Sequence, residues 1–179
     1  SYYTLFGIMS DQGFIGGSLI TDSSSNTYLG TSLSAGSMGP TYPDDDIVWV
    51  SKWAAGGASP TWQRSAQDTS LNSAKIKYVL VDSTGDVLAL LGAYDSSNDF
   101  ATVLKWDTDG TFQWGRNFGT SGAHATGSGF ALDSSDNIFM LTEGATGTGQ
   151  IVKWNSAGVI QSQYNFQGYG ATLNAANGQ

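Results

Sequence analysis

The chain has 179 residues, of which 40% are hydrophobic, 12% are charged and 24 are glycine. Its net charge of −8 argues against nucleic acid or anionic lipid as a partner, and the absence of cysteine excludes disulfides, thiolate metal sites and cysteine nucleophiles. No run of about 18 apolar residues occurs, so no membrane insertion is expected. Abundant glycine, serine and threonine favour short strands joined by tight turns.

An internal repeat of about 50 residues organises the chain. Each copy begins with an apolar run that ends in Asp-Ser, at Asp22, Asp82 and Asp133. Each continues to a Lys-Trp pair, which ends at Trp53, Trp106 and Trp154. A glycine follows each tryptophan four residues later, at Gly57, Gly110 and Gly158. Three anchors in the same order, found three times, indicate a repeat-built fold.

The anchors predict four strands in each copy. Aspartate, asparagine and glycine form tight turns, and apolar runs such as 129–132 and 138–141 flank one of these turns as in a hairpin. The Lys-Trp pair ends a third strand, and residues 111–114 open a fourth. We therefore expect an all-β, β-propeller-like chain with about three four-stranded antiparallel blades, that is, a partial propeller.

The predicted units follow one another along the chain. Residues 1–8 are expected to end a preceding blade; 13–66, 74–119 and 127–168 each form a blade; and 169–179 start the next blade or form a tail. In the first blade, residues 34–46 are inserted between the second and third strands. Three blades cannot close a ring, so further blades of the same polypeptide or other copies are expected as partners.

Residues 105–119, which read Lys-Trp-Asp-Thr-Asp-Gly-Thr-Phe-Gln-Trp-Gly-Arg-Asn-Phe-Gly, resemble the blade ends of bacterial and phage β-propeller repeat proteins of the SBBP type. The third copy departs from this pattern with Ser162 in place of tryptophan, and the first has one extra residue before Trp62. Residues 107–114 also look like the tryptophan-docking motif of quinoprotein propellers. The SBBP resemblance implies an extracellular, cell-surface or virion location.

Two groups of residues beside the insertion are candidate binding residues. Trp49 has no counterpart in the other copies, and with Tyr42 it is a candidate platform for a sugar ring. Asp44, Asp45 and Asp46 are a candidate Ca²⁺ site, since Ca²⁺ prefers oxygen ligands. An additional packing aromatic and a solvated acidic loop are the structural alternatives. No cofactor other than Ca²⁺ is expected.

The repeated residues are expected to be structural. Asp22, Asp82 and Asp133 are interpreted as turn formers, and the lysine before each repeated tryptophan as a packed stem or an ion-pair partner. Trp53, Trp106 and Trp154 are expected to pack in the core or between blades. The single histidine, His124, has no nucleophile elbow near it, and Glu143 is the only glutamate.

The sequence therefore predicts a non-catalytic structural or binding module of a larger extracellular or virion surface protein. Adhesion or recognition of a host-surface glycan, as by a phage tail or fibre component, is the expected role, with a cell-surface glycan or other virion proteins as partners. The alternative is a fragment of a propeller enzyme, either a glycan hydrolase or a quinoprotein-like enzyme. A hydrolase would need two neighbouring carboxylates, which aspartates alone would have to supply.

Overall fold

The computed structural model describes residues 14–33, 47–66, 73–95, 98–119, 126–143 and 148–167. These residues form twelve β-strands, and no helix occurs among them. The strands belong to three sheets of four strands each, in which every strand pairs antiparallel with the next one along the chain. The prediction of an all-β chain with three four-stranded antiparallel sheets is confirmed.

The strand bounds follow the repeat. The first sheet contains β1 (Phe14–Thr21), β2 (Thr27–Leu33), β3 (Ile47–Trp53) and β4 (Trp62–Ala66). The second contains β5 (Ser73–Val81), β6 (Val87–Asp95), β7 (Asn98–Trp106) and β8 (Phe112–Phe118). The third contains β9 (Thr126–Leu132), β10 (Ile138–Glu143), β11 (Thr148–Trp154) and β12 (Ile160–Gln167). Each described sheet is open, with its first and fourth strands at the edges.

The sheets stack on one another in chain order. Strand β5 contacts β1, β2 and β3, and β9 contacts β5, β6 and β7. Strand β6, one of the two inner strands of the second sheet, is buried on both faces. Its side chains alternate between the two faces, and a neighbouring sheet covers each of them. Val87, Ala89 and Leu91 pack toward the first sheet, whereas Leu88 and Leu90 pack toward the third. This two-sided burial explains why residues 87–91 form a continuous apolar run.

A local irregularity recurs in the first strand of every sheet. The pairing register shifts between Phe14 and Gly17 in β1, at Lys77 in β5, and at Ser128 in β9. In β5 and β9, Lys77 and Ser128 are the extra residues of β-bulges. A bulge breaks the strict alternation of side chains and so can re-aim a side chain out of the regular sheet face.

Candidate functional site

The three repeated aspartates hold the hairpin turns between the first and second strands of the sheets. In each turn one carboxylate oxygen, Oδ1, accepts backbone N–H groups from the residues two and four positions later, at 2.9–3.0 Å. Side-chain hydrogen bonds from Asn26 and Asn137 lower the pKa values of Asp22 and Asp133, respectively. These carboxylates are therefore engaged in turn structure.

The turns between the third and fourth strands use the same geometry. Asp107 Oδ1 accepts the backbone N–H groups of Asp109 and Thr111 at 3.0 and 2.8 Å. In the third sheet Asn155 does the same with its amide oxygen, so the turn requires an oxygen acceptor and not a charge. The first sheet has Ala54 at this position. There the positive φ of 69° belongs to Gly56, whereas Gly57 closes the turn by donating its N–H to the Ala54 carbonyl oxygen, as Gly110 and Gly158 do in the other sheets.

The three repeated lysines have different environments. Lys105 is buried, and its Nζ lies 2.8 Å from Asp82 Oδ2 and 3.1 Å from Asp86 Oδ2. Burial alone would raise the pKa of Asp82, but the hydrogen bond from Lys105, together with those from Thr84 and Asp86, leaves that pKa below its usual value. The corresponding ion pair in the third sheet, between Lys153 and Asp133, is longer at 3.7 Å and partly exposed.

In the first sheet a tyrosine changes the partner of the lysine. The hydroxyl of Tyr28 donates to Asp22 Oδ2 at 3.0 Å. In the second sheet, the equivalent oxygen of Asp82 accepts from Lys105 instead. Burial and this contact raise the pKa of Tyr28 to about 12. Lys52 Nζ instead lies above the Tyr28 ring and donates to the carbonyl and hydroxyl oxygens of Thr108 in the second sheet. Lys52 thus contributes to the contact between sheets.

The structure places the remaining sequence candidates as follows. Trp106 and Trp154 are 3% and 1% exposed, and Trp53 is partly buried. Trp49 is partly buried on β3, opposite Thr31, and its indole Nε1 has no hydrogen-bond partner among the described residues. The other candidates lie outside the described residues: Tyr42, Asp44, Asp45, Asp46 and His124. The sugar platform and the Ca²⁺ site therefore remain predictions.

A contact that we call the Trp-Arg clamp joins each described pair of adjacent sheets. Trp62 on β4 lies against Gly110, where an added Cβ would be 2.8 Å from the indole ring. Arg64, two residues later, donates from Nε to the carbonyl oxygen of Gly110 at 2.7 Å. The second and third sheets repeat the contact: Trp114 lies against Gly158, and Arg116 Nε donates to the Gly158 carbonyl oxygen at 3.2 Å.

The clamp explains why the repeat has glycine at positions 110 and 158 and a Trp-x-Arg sequence at the start of β4 and in β8. Both turn glycines have positive φ, 79° at Gly110 and 73° at Gly158. An added Cβ would lie 2.8 Å from the indole ring at Gly110 and 3.2 Å from it at Gly158. Each arginine also lies over the ring of its own tryptophan, at 5.9 and 5.4 Å from the ring centre. In the third sheet Ser162 and Tyr164 occupy the corresponding positions on β12, and Tyr164 is 69% exposed. Strand β12 therefore lacks the clamp side chains.

A second feature, the bulge cleft, lies where the first strands of the second and third sheets meet. It is an open cleft of about 340 Å³, lined by Lys77, Tyr78, Gly127, Ser128 and Glu143. The Tyr78 hydroxyl crosses between the sheets and donates to the Ser128 carbonyl oxygen at 2.9 Å, while the residue is 38% exposed. The cleft thus combines an exposed aromatic side chain with an ammonium group, a carboxylate and a hydroxyl.

Sequence reasoning missed the bulge cleft. Lys77 and Ser128 both lie five residues before a turn aspartate, which is a detectable repeat position. Nothing in the sequence shows that this position is bulged, because the bulge appears only in the pairing of β5 with β6 and of β9 with β10. Glu143 is the only glutamate in the sequence, but its place beside this cleft follows only from its position at the end of β10.

The described part of the chain contains neither a cluster of potential metal ligands nor a membrane-spanning helix. There, no three histidine, aspartate or glutamate side chains come together as potential metal ligands. In the same residues, no helix is long and apolar enough to cross a membrane.

Comparisons with known proteins provide support for the fold only. No protein-family model matches the chain, and no curated protein matches it. The structure is similar to the crystal structure of a protein of unknown function from Bacteroides caccae, with a TM-score of 0.51 and 11% sequence identity. The similarity covers 91% of this chain and 48% of that one, so the chain spans about half of the length of that structure.

Proposed function

We propose that the chain is a non-catalytic structural and binding module, built of consecutive propeller-like blades, of an extracellular, cell-surface or virion protein. Its role is adhesion or recognition of a surface glycan, of the kind performed by a phage tail or fibre component. The repeated sheets supply a rigid frame, and the clefts and loops between them supply the recognition surface.

The Trp-Arg clamp is the observation that carries the structural part of this proposal. The same tryptophan, arginine and glycine join the first sheet to the second and the second to the third. The repeat of one contact supports a similar placement of each sheet against the next, as expected for consecutive blades of a propeller. The resemblance of residues 105–119 to SBBP-type blade ends supports the same proposal, because those residues include the clamp glycine and tryptophan.

The four turn carboxylates support the non-catalytic part of the proposal. The carboxylates of four turns accept backbone N–H groups, and their pKa values lie below the usual range: Asp22, Asp82, Asp107 and Asp133. A general acid in glycoside hydrolysis requires a carboxyl whose pKa is raised. Carboxylates held in this way form turns and are unsuited to donate a proton at neutral pH.

Binding to an array of surface glycans, followed by product analysis, tests the proposal. The full chain should bind a subset of glycans, and the bound saccharides should be recovered intact after prolonged incubation. Release of shortened saccharides would favour the glycan hydrolase alternative. Failure to retain any glycan on the array would contradict the recognition role.

A further inference from the structure

We propose that the bulge cleft binds an uncharged sugar ring, with Tyr78 as the stacking surface and with Lys77, Ser128 and Glu143 as hydrogen-bonding groups. This inference rests on the proposed glycan-binding function and assigns it a place and a chemical class of ligand. It is a second location, separate from the platform of Trp49 and Tyr42, which stays a prediction.

The aromatic ring in the cleft is held in place. Its hydroxyl donates to the Ser128 carbonyl oxygen at 2.9 Å, so the side chain on β5 is tied to β9 of the next sheet. The residue remains 38% exposed. A fixed and exposed ring is suited to pack against the C–H face of a sugar, because little side-chain freedom is lost on binding.

The polar groups around the ring offer both donors and acceptors. Lys77 is the extra residue of the β5 bulge, and its stem lies near Gly92, where an added Cβ would be 3.2 Å from Cε. Glu143 ends β10 and is exposed. An ammonium donates three hydrogen bonds and a carboxylate only accepts them, whereas each sugar hydroxyl can do both. The pair therefore matches the hydroxyls of a sugar.

The charges favour a neutral ligand over an acidic one. Lys77 and Glu143 contribute opposite charges to the cleft, so no net positive charge is available there to bind a carboxylate or sulfate. The chain as a whole carries a net charge of −8, which repels anionic saccharides at low ionic strength. A neutral hexose or N-acetylhexosamine meets neither obstacle. The volume of about 340 Å³ lies at the small end of ligand sites and fits a single ring.

The test is an NMR titration of the full chain with methyl glucoside, methyl galactoside, methyl mannoside and methyl N-acetylglucosaminide, with methyl glucuronide as the acidic counterpart of methyl glucoside. At least one neutral glycoside should shift the amide signals of Tyr78, Ser128 and Glu143, with a dissociation constant on the order of millimolar. The glucuronide should bind at least about tenfold more weakly.

Variants locate the site. Tyr78→Ala should weaken binding by about tenfold or more, whereas Tyr78→Phe, which keeps the ring and loses its hydrogen bond to Ser128, should weaken it only a few-fold. Tyr164→Ala removes an exposed tyrosine from β12 and should leave binding unchanged. Each variant is first checked for a wild-type circular dichroism spectrum and unfolding midpoint.

Three results would overturn the inference: no shift with any neutral glycoside, shifts centred away from the cleft, or tighter binding of the glucuronide. These results are separable from a failure of the proposed function. A chain that binds the glycan array equally well with Tyr78→Ala retains the proposed function and loses this site. A chain that retains no glycan on the array loses both.

Discussion

Replacing the clamp glycine by alanine should destabilise the chain far more than the same replacement at an open turn. Gly110 and Gly56 both have positive φ, 79° and 69°, so alanine meets similar backbone strain at each. They differ in surroundings: a Cβ at Gly110 would lie 2.8 Å from the Trp62 ring, whereas one at Gly56 would have no atom within 4 Å. Comparing Gly56→Ala with Gly110→Ala therefore separates the cost of backbone strain from the cost of disturbing the clamp.

The expected loss of stability has two parts, the strain of the left-handed backbone and the overlap of the added methyl group with the indole ring. A left-handed backbone costs a residue with a Cβ about 1–2 kcal/mol, which is the expected cost of Gly56→Ala. Forcing a methyl group into a packed site adds about 1–3 kcal/mol, so Gly110→Ala should cost about 2–5 kcal/mol. Gly158→Ala should fall between them, because its added Cβ would be 3.2 Å from the Trp114 ring.

Urea unfolding followed by far-ultraviolet circular dichroism measures these costs as differences in the free energy of unfolding. The slope with denaturant should stay unchanged, which shows that the variants alter stability and not the extent of unfolding. Equal losses for Gly110→Ala and Gly56→Ala would contradict this prediction, because the contact between Gly110 and the Trp62 ring would then contribute nothing to stability.

Three further predictions concern buried and titrating groups. Trp106→Ala should cost about 3–5 kcal/mol in urea unfolding, because a side chain that is 3% exposed would leave a cavity; a neutral effect would argue against its packing role. Lys105→Met should cost about 3 kcal/mol, because Asp82 would stay buried without its ion-pair partner. Lys153→Met should cost less than about 1 kcal/mol, because its ion pair with Asp133 is longer and partly exposed. Equal costs for the two variants would contradict this difference. The lowered pKa of Asp82 means that its contribution is present above the unfolded value of about 4 and is lost as pH falls through the folded pKa. Unfolding measured between pH 2 and about 6 should show this loss, and Asp82→Asn should flatten it; an unchanged profile would be evidence against the linkage.

The fold was largely predictable because its signals are local. Asp-Ser turns, glycines and alternating or apolar runs specify hairpins within a few residues of sequence, and the repeat places the hairpins in register. The first sheet shows the limit of this reasoning. Gly56 has the positive φ there, although the turn is closed by the same hydrogen bond as in the other sheets, from the N–H of Gly57 to the Ala54 carbonyl oxygen.

The sites were less predictable because they depend on contacts between sheets. Trp62 and Gly110 belong to different copies of the repeat, and the sequence alone does not show that they touch. The bulge cleft depends on the pairing of β5 and β9 with their neighbours, which shifts register at Lys77 and Ser128. A repeat identifies which residues are equivalent, but it does not show which of them meet across a sheet boundary.

Hydrogen exchange of the full chain, measured by mass spectrometry, tests most directly whether the clamps hold the sheets together. Trp62→Ala removes the clamp between the first and second sheets, and Trp114→Ala removes the one between the second and third. The two variants should have reciprocal effects. Trp62→Ala should lower protection mainly in residues 14–33 and 47–66, and Trp114→Ala mainly in residues 126–143 and 148–167. The same loss of protection across all three sheets in both variants, or no loss in either, would show that the clamps do not hold neighbouring sheets together.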